Sequence, residues 1–300
     1  MLRIWDRIFL IRPVLLGPAW TMVLVGHYRA PLSGSREGTD GLAAVLVLFS
    51  LLMGGIYILN QIKDVEGDRL NHKLFFLADG WVSEKSAFLQ GWVMMALAMA
   101  GAIWLKWELG ALFLISMALG LAYNAKWTET PVLGLAANMV GFGFLAFAVG
   151  WVAGSSAFGW KMFWCSIPYP LAIGAVYANT TVLDAKGDRR VGKNTLAVRF
   201  GCNGALWISV AIFLSASVAA WMAGDRVMLL SGGIALPFFG WMRIKKEART
   251  IDRATKVALL ALSLRMAWTY PWYLVLMGAT FVGSRWYHRK RFGMHYPNLG

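Results

Sequence analysis

This 300-residue chain has 58% hydrophobic and 15% charged residues, against roughly 25% charged residues in a soluble domain, and its mean hydropathy of +0.56 excludes a soluble globular protein. The net charge of +14 does not argue for nucleic acid, because Lys and Arg gather in loops between apolar runs, as the positive-inside rule requires. Cys165 and Cys202 have neither zinc-ligand spacing nor partner histidines, and one pair is no disulfide framework, so both read as packing residues.

Apolar runs long enough for a hydrocarbon core of roughly 30 Å recur along the chain with no soluble domain between them. Residues 1–300 are therefore expected to form one membrane-embedded domain, an all-α bundle of about nine transmembrane helices. The N-terminal run, with Arg12-Pro13 and Pro18, lacks a small-residue cleavage site and is expected to be retained. Spans are predicted at 12–30, 42–60, 86–105, 109–124, 132–153, 161–182, 204–223, 227–242 and 256–282. Tight connections near 106–108 and at Gly224-Asp-Arg predict two antiparallel hairpins.

Basic residues put the N-terminus and the connections at 61–85, 124–131, 183–203 and 243–256 on one side, the cytoplasmic one, of an inner or plasma membrane. One feature conflicts with this topology. Nine spans put the C-terminus on the other side, yet the tail Arg285-Trp-Tyr-His-Arg-Lys-Arg291 is as basic as any of these loops.

Five of the 15 acidic residues, Asp64, Glu66, Asp68, Asp184 and Asp188, fall in two short stretches, each ending an apolar span on that same side. Asn60, Asp64 and Asp68 are spaced i, i+4, i+8 and project from one helix face; Asp184 and Asp188 repeat the i+4 step. Two carboxylates at that spacing, roughly 5–6 Å apart, repel by about 3 kcal/mol at an effective dielectric near 20. A counter-ion relieves this, and carboxylate and amide oxygens suit Mg²⁺, which commonly bridges carboxylates to phosphates. The implied ligand is a diphosphate. Lys63, Arg69 and Lys73 beside the first cluster, and Lys186, Arg189, Arg190 and Lys193 beside the second, are candidates for the remaining phosphate oxygens. A lone pair of acids at a loop is more often a solvated helix end; two clusters on one face favour function. The two helix-plus-cluster units echo each other weakly, through duplication or through convergence on one cation.

The series Asn60-xxx-Asp64-xxx-Asp68 and Asp184-xxx-Asp188 resembles the two aspartate-rich motifs of the UbiA superfamily of intramembrane prenyltransferases. Tyr123-Asn-Ala-Lys126 is similar to that family's YxxxK-type motif in shortened form, Asn138 matches the pattern of the following helix, and Gly187–Gly201 is similar to the loop after the second motif. The chain departs from the family at Gln61, where an acid is common, and at Asn71-His-Lys-Leu-Phe-Phe-Leu77, where an Arg-Pro-rich stretch is usual.

The resemblance implies a cytoplasm-facing central cavity in which Asn60, Asp64, Asp68, Asp184 and Asp188 hold Mg²⁺ on an isoprenyl diphosphate. Asp64, Asp68, Asp184, Asp188, Tyr123 and Lys126 would be catalytic, and Asn60, Arg69, Lys73, Asn138 and Lys193 would bind substrate. The implied reaction is prenyl transfer through an allylic carbocation to an aromatic acceptor. Alternatives are a glycerol-phosphate or sugar-phosphate acceptor, a membrane terpene cyclase, and a non-enzymatic lipid or ion transporter. The expected partners are the diphosphate, an acceptor and the lipid bilayer, with no nucleic acid and no obligate protein partner. Arg265, inside the last apolar run, is read as structurally paired or snorkelling, His72 as a loop residue, and no single aromatic ring is assigned to catalysis.

Overall fold

The computed structural model describes residues 2–30, 39–70, 76–77, 79–125, 130–154 and 158–297, excepting the side chains of 2–3, 39–40 and 66–70. Among these residues every regular element is helical. The helices are α1 (Leu2–Leu10), α2 (Pro13–Arg29), α3 (Thr39–Leu70), α4 (Glu84–Leu105), α5 (Trp107–Asn124), α6 (Pro131–Asn138), a π-helical segment (Met139–Leu145), α7 (Ala146–Gly154), α8 (Trp160–Ser166), α9 (Pro168–Arg190), α10 (Leu196–Met222), α11 (Arg226–Lys245), α12 (Ala248–Thr269) and α13 (Pro271–Phe292). Hydrocarbon offers backbone groups no water, so the chain satisfies them internally.

Among the described residues, six helical stretches are long and apolar enough to cross a membrane: Gly41–Val65, Glu84–Leu105, Trp107–Asn124, Pro131–Gly154, Leu196–Met222 and Arg226–Lys245. The pair α1–α2, bent by 44°, reaches the same length and hydropathy only when its two helices are taken together, as a broken span or a re-entrant loop. The predicted hairpins form. Lys106 alone links α4 to α5, and Ala223-Gly-Asp225 links α10 to α11, where the Asp225 side chain accepts from Met228 N at 3.1 Å and caps α11.

The expected single span at 256–282 is corrected. Tyr270-Pro271 divides it into α12 and α13, because proline continues no helix through its own nitrogen but starts one well. The Tyr270 hydroxyl meets His27 Nδ1 at 2.7 Å, near the far end of α2, while Arg291, at the end of α13, pairs with Asp6 in α1 at 3.1 Å. The last helix thus turns back, and the basic tail lies at the same end of the bundle as the N-terminus. The conflict over the tail disappears. Span 161–182 likewise begins as two helices, α8 and α9, broken before Pro168.

Tight packing centres on α2 against α7. A Cβ on Gly26 would stand 1.9 Å from Phe147 O, and one on Gly150 1.8 Å from Val23 O. Small residues let helix backbones approach where lipid offers no hydrophobic drive to associate. Arg265 behaves as expected of a paired residue, donating to Thr269 Oγ1 at 2.9 Å with its guanidinium 5.7 Å from the Tyr28 ring centroid. Cys165 and Cys202 are unbridged, and His72 lies outside the described residues.

Candidate functional site

A cavity of about 510 Å³ opens among α3, α5, α6 and α9, and both predicted acidic clusters reach it: Asn60 and Asp64 from α3, Asp184 and Asp188 from α9. Tyr123, Asn138 and Lys193 line it too. The π-helical segment explains part of this wall. Wider turns rotate the helix register, and Ala137, Asn138, Gly141 and Phe142 all meet the cavity around its start.

Polar contacts hold the first cluster in place. Asn60 Nδ2 donates to Asp64 Oδ2 and to Asn124 Oδ1, each at 3.2 Å. Asn124 Nδ2 donates to Ile56 O at 3.2 Å, and the Lys63 ammonium donates to the Asn124 carbonyl. Tyr123 stands beside Asn138 and Tyr177 on the cavity wall. Tyr177 belongs to the helix carrying Asp184 and Asp188.

Lys193, in the loop after α9, crosses to α3 and places Nζ 2.8 Å from Asp64 Oδ1. Burial alone would pull its pKa down, but Asp64, with Asp188 and Tyr123 behind it, outweighs burial and holds the ammonium above the ordinary lysine value of 10.5. A raised folded-state pKa contributes stability that is complete below the unfolded value and lost as pH rises through the folded one. The thermal-stability advantage of wild type over Lys193→Met is therefore expected to stay flat up to about pH 10 and to shrink above it. An advantage that decays between neutrality and about pH 9 would contradict the pairing.

Among the described residues, no three His, Cys, Asp or Glu side chains are close enough together to hold a metal ion. The Lys193 ammonium compensates the first cluster at Asp64. Of the other predicted residues, Asp68 and Arg69 sit in the last turns of α3, where only the backbone is described, and Lys73 and Lys126 lie outside the described residues. Lys186, Arg189 and Arg190 are exposed and do not line the cavity, because they occupy the other face of α9. That corrects the expectation that they reach a bound phosphate.

Lining residues that the sequence reading did not single out include Arg12, Asn124 and Tyr177. Tyr177 precedes Asp184 by seven residues, two turns along the same face, so its position was recoverable from helical spacing. Asn124 follows Tyr123 directly. Arg12 gave no such signal, since it reaches the cavity through a left-handed backbone conformation (φ 52°, ψ 64°) between α1 and α2.

Comparison with known proteins gives a family and a fold. The family model of the UbiA prenyltransferase family matches residues 15–263. No curated protein matches the chain. Among solved structures, a UbiA homolog from Archaeoglobus fulgidus bound to GPP and Mg²⁺ superposes with a TM-score of 0.73 at 17% identity, covering 91% of this chain and 99% of that one. A digeranylgeranylglyceryl phosphate synthase gives 0.65 at 15% identity, over 89% and 99%. The apo UbiA homolog from Aeropyrum pernix K1 gives 0.63 at 18% identity, over 91% and 98%.

Proposed function

The chain belongs to the UbiA prenyltransferase family, and from that premise we propose that it transfers an isoprenyl chain from an isoprenyl diphosphate to an aromatic acceptor, with Mg²⁺ held between the two acidic clusters. The observation that carries this reading is the meeting of Asn60 and Asp64 with Asp184 and Asp188 at one cavity whose walls continue into apolar residues such as Met53, Leu119 and Phe142. The donor set consists of carboxylate and amide oxygens, which suits a hard cation that keeps some of its waters. Asn60, Asp64, Asp184 and Asp188, with Asp68 from the sequence pattern, would hold it. It would supply positive charge to the diphosphate oxygens as the allylic C–O bond ionises.

The chain's own residues do the rest. Lys193 and the Tyr123 and Tyr177 hydroxyls are placed to hydrogen-bond the departing diphosphate, which leaves with the electron pair. The apolar wall excludes water from the allylic cation until the acceptor attacks and loses a proton. Among the described lining residues two cations, Arg12 and Lys193, stand against the carboxylates of Asp64, Asp184 and Asp188. Among these described residues there is no surplus of positive charge to favour a phosphorylated acceptor. A planar acceptor is favoured by the stacked Tyr57 and Phe142 rings, 6.2 Å apart with 13° between planes, which both line the cavity. The basic connections and tail at the acidic end of the bundle support a cavity facing the cytoplasm from an inner or plasma membrane.

The test is product analysis with purified protein in detergent, an isoprenyl diphosphate, and Mg²⁺ or a chelator, with and without a phenolic acceptor. Prenylated acceptor formed only with metal is expected. Cyclised hydrocarbon or terpene alcohol from donor alone would transfer the assignment to a cyclase. No turnover, with saturable transport of a cation, would overturn the enzymatic reading.

The cavity also bounds the donor chain. From Asp64 to Met53 it rises about 16 Å along α3, and one turn farther Phe49 and Phe113, 5.8 Å apart edge to face, are fully buried and close the apolar end. Ser116, on α5, lines the cavity just short of that pair. Ser116→Phe is expected to abolish use of geranylgeranyl diphosphate while dimethylallyl diphosphate remains a donor, read as relative kcat/KM across chain lengths. An unchanged chain-length profile would show that longer tails leave the cavity sideways.

A further inference from the structure

The family match ends at residue 263, so α13 lies beyond it, and this helix meets α1 in an interaction that the reaction above leaves unused. Asp6 is 1% exposed, an unusual place for a carboxylate without strong partners. It has them: Arg291 donates Nε and Nη2 to the two carboxylate oxygens at 3.1 Å each, and the Tyr287 hydroxyl donates to Asp6 as well. The Tyr287 ring, fully buried, stacks on Phe9 with centroids 4.0 Å apart and planes within 8°.

The apolar cluster around this triad contains Phe9 and Leu10 of α1, Phe76 and Ile58, with Ile62 and Val65 packed against it. Ile58, Ile62 and Val65 are on the back of the α3 segment whose front carries Asn60 and Asp64. A direct polar link runs through Gln61, 4% exposed, whose Nε2 donates to Leu10 O at 2.7 Å and to Tyr57 O at 3.1 Å. Two residues after Leu10, the chain adopts the left-handed turn that delivers Arg12 to the cavity. A non-glycine residue there costs about 1–2 kcal/mol and persists only where its surroundings hold it.

We propose that α1 and α13 form a brace that sets the position of the first metal-binding cluster, with Asp6, Tyr287 and Arg291 as positioning residues acting through Gln61 on Asn60 and Asp64. The inference rests on the reading that these carboxylates hold a metal diphosphate. Outer groups that orient ligands typically change metal affinity by about 10–100-fold. Asp6→Asn and Arg291→Met should therefore weaken Mn²⁺ binding in the presence of inorganic diphosphate, followed by electron paramagnetic resonance, by about tenfold. The Mg²⁺ concentration for half-maximal activity and the donor KM should rise in parallel, kcat should change far less, and Arg291→Lys should restore part of the loss.

A merely structural contact would lower thermal stability and leave the binding constants of the folded fraction unchanged, which would overturn the brace. Gln61→Met leaves α13 intact and removes the hydrogen bonds to Leu10 O and Tyr57 O, of which only the first crosses to α1. It decides the matter if the other variants do not fold: weakened Mn²⁺ binding supports the brace, and wild-type binding refutes it. If wild-type protein itself fails to bind Mn²⁺ with diphosphate, the metal-diphosphate reading falls and the brace with it.

Discussion

Asp64→Ala and Asp184→Ala are each expected to lower prenyl transfer by about a thousandfold or more, since removing a group that stabilises developing charge in a water-poor site costs several kcal/mol of barrier. The two residues stand on different helices, 120 positions apart in the chain, yet both line one cavity. Neither replacement should unfold the protein. Asp64 is paired with Lys193 at a partly solvated rim, where ion pairs contribute about 1 kcal/mol or less. Asp64→Asn keeps shape and hydrogen bonding while removing charge, and should lose nearly as much activity as Ala. The measurement is diphosphate release together with product formation, on variants whose thermal midpoints match wild type. Activity within about tenfold of wild type in either Ala variant would return the clusters to a structural role.

The largest expected effect on stability is at the α2–α7 crossing. Gly26→Ala and Gly150→Ala each place a methyl carbon within 2 Å of a backbone carbonyl on the other helix, at 1.9 Å from Phe147 O and 1.8 Å from Val23 O. Rotamer changes relieve contact with a side chain but not with backbone, so the helices must separate. The loss should exceed about 3 kcal/mol, the upper end of ordinary overpacking. Thermal unfolding in detergent should show a collapse of the midpoint or of folded yield. Gly17→Ala, on the same helix with nothing within 4 Å of its Cβ, should cost little. A normal midpoint for Gly150→Ala would mean that α2 and α7 are not in close contact.

Much of the site was legible because the acidic residues obey helical spacing and apolar helices surround them. Asn60, Asp64, Asp184 and Asp188 needed only the i+4 rule and the side of the membrane on which each span ends. The last 45 residues were harder. Composition made 256–282 look like one span, and only the break at Tyr270-Pro271 and the long-range pairing of Arg291 with Asp6 show that the chain turns back. No local pattern encodes a contact across 285 positions. Basic residues also misled where face mattered: Lys193 reaches Asp64, whereas Arg189 and Arg190, a few positions earlier, point away. Arg12 was invisible for a related reason, since its approach to the cavity depends on one unusual backbone turn.

The central claim is that the clusters on α3 and α9 act together on one metal-bound diphosphate, and a double-mutant cycle between Asp64 and Asp184 tests it most directly. Groups that act as a unit are strongly non-additive. The Asp64→Ala/Asp184→Ala double variant should be scarcely slower in diphosphate release than the slower single variant. Losses that multiply would mean that the two clusters act independently, and would contradict the shared site.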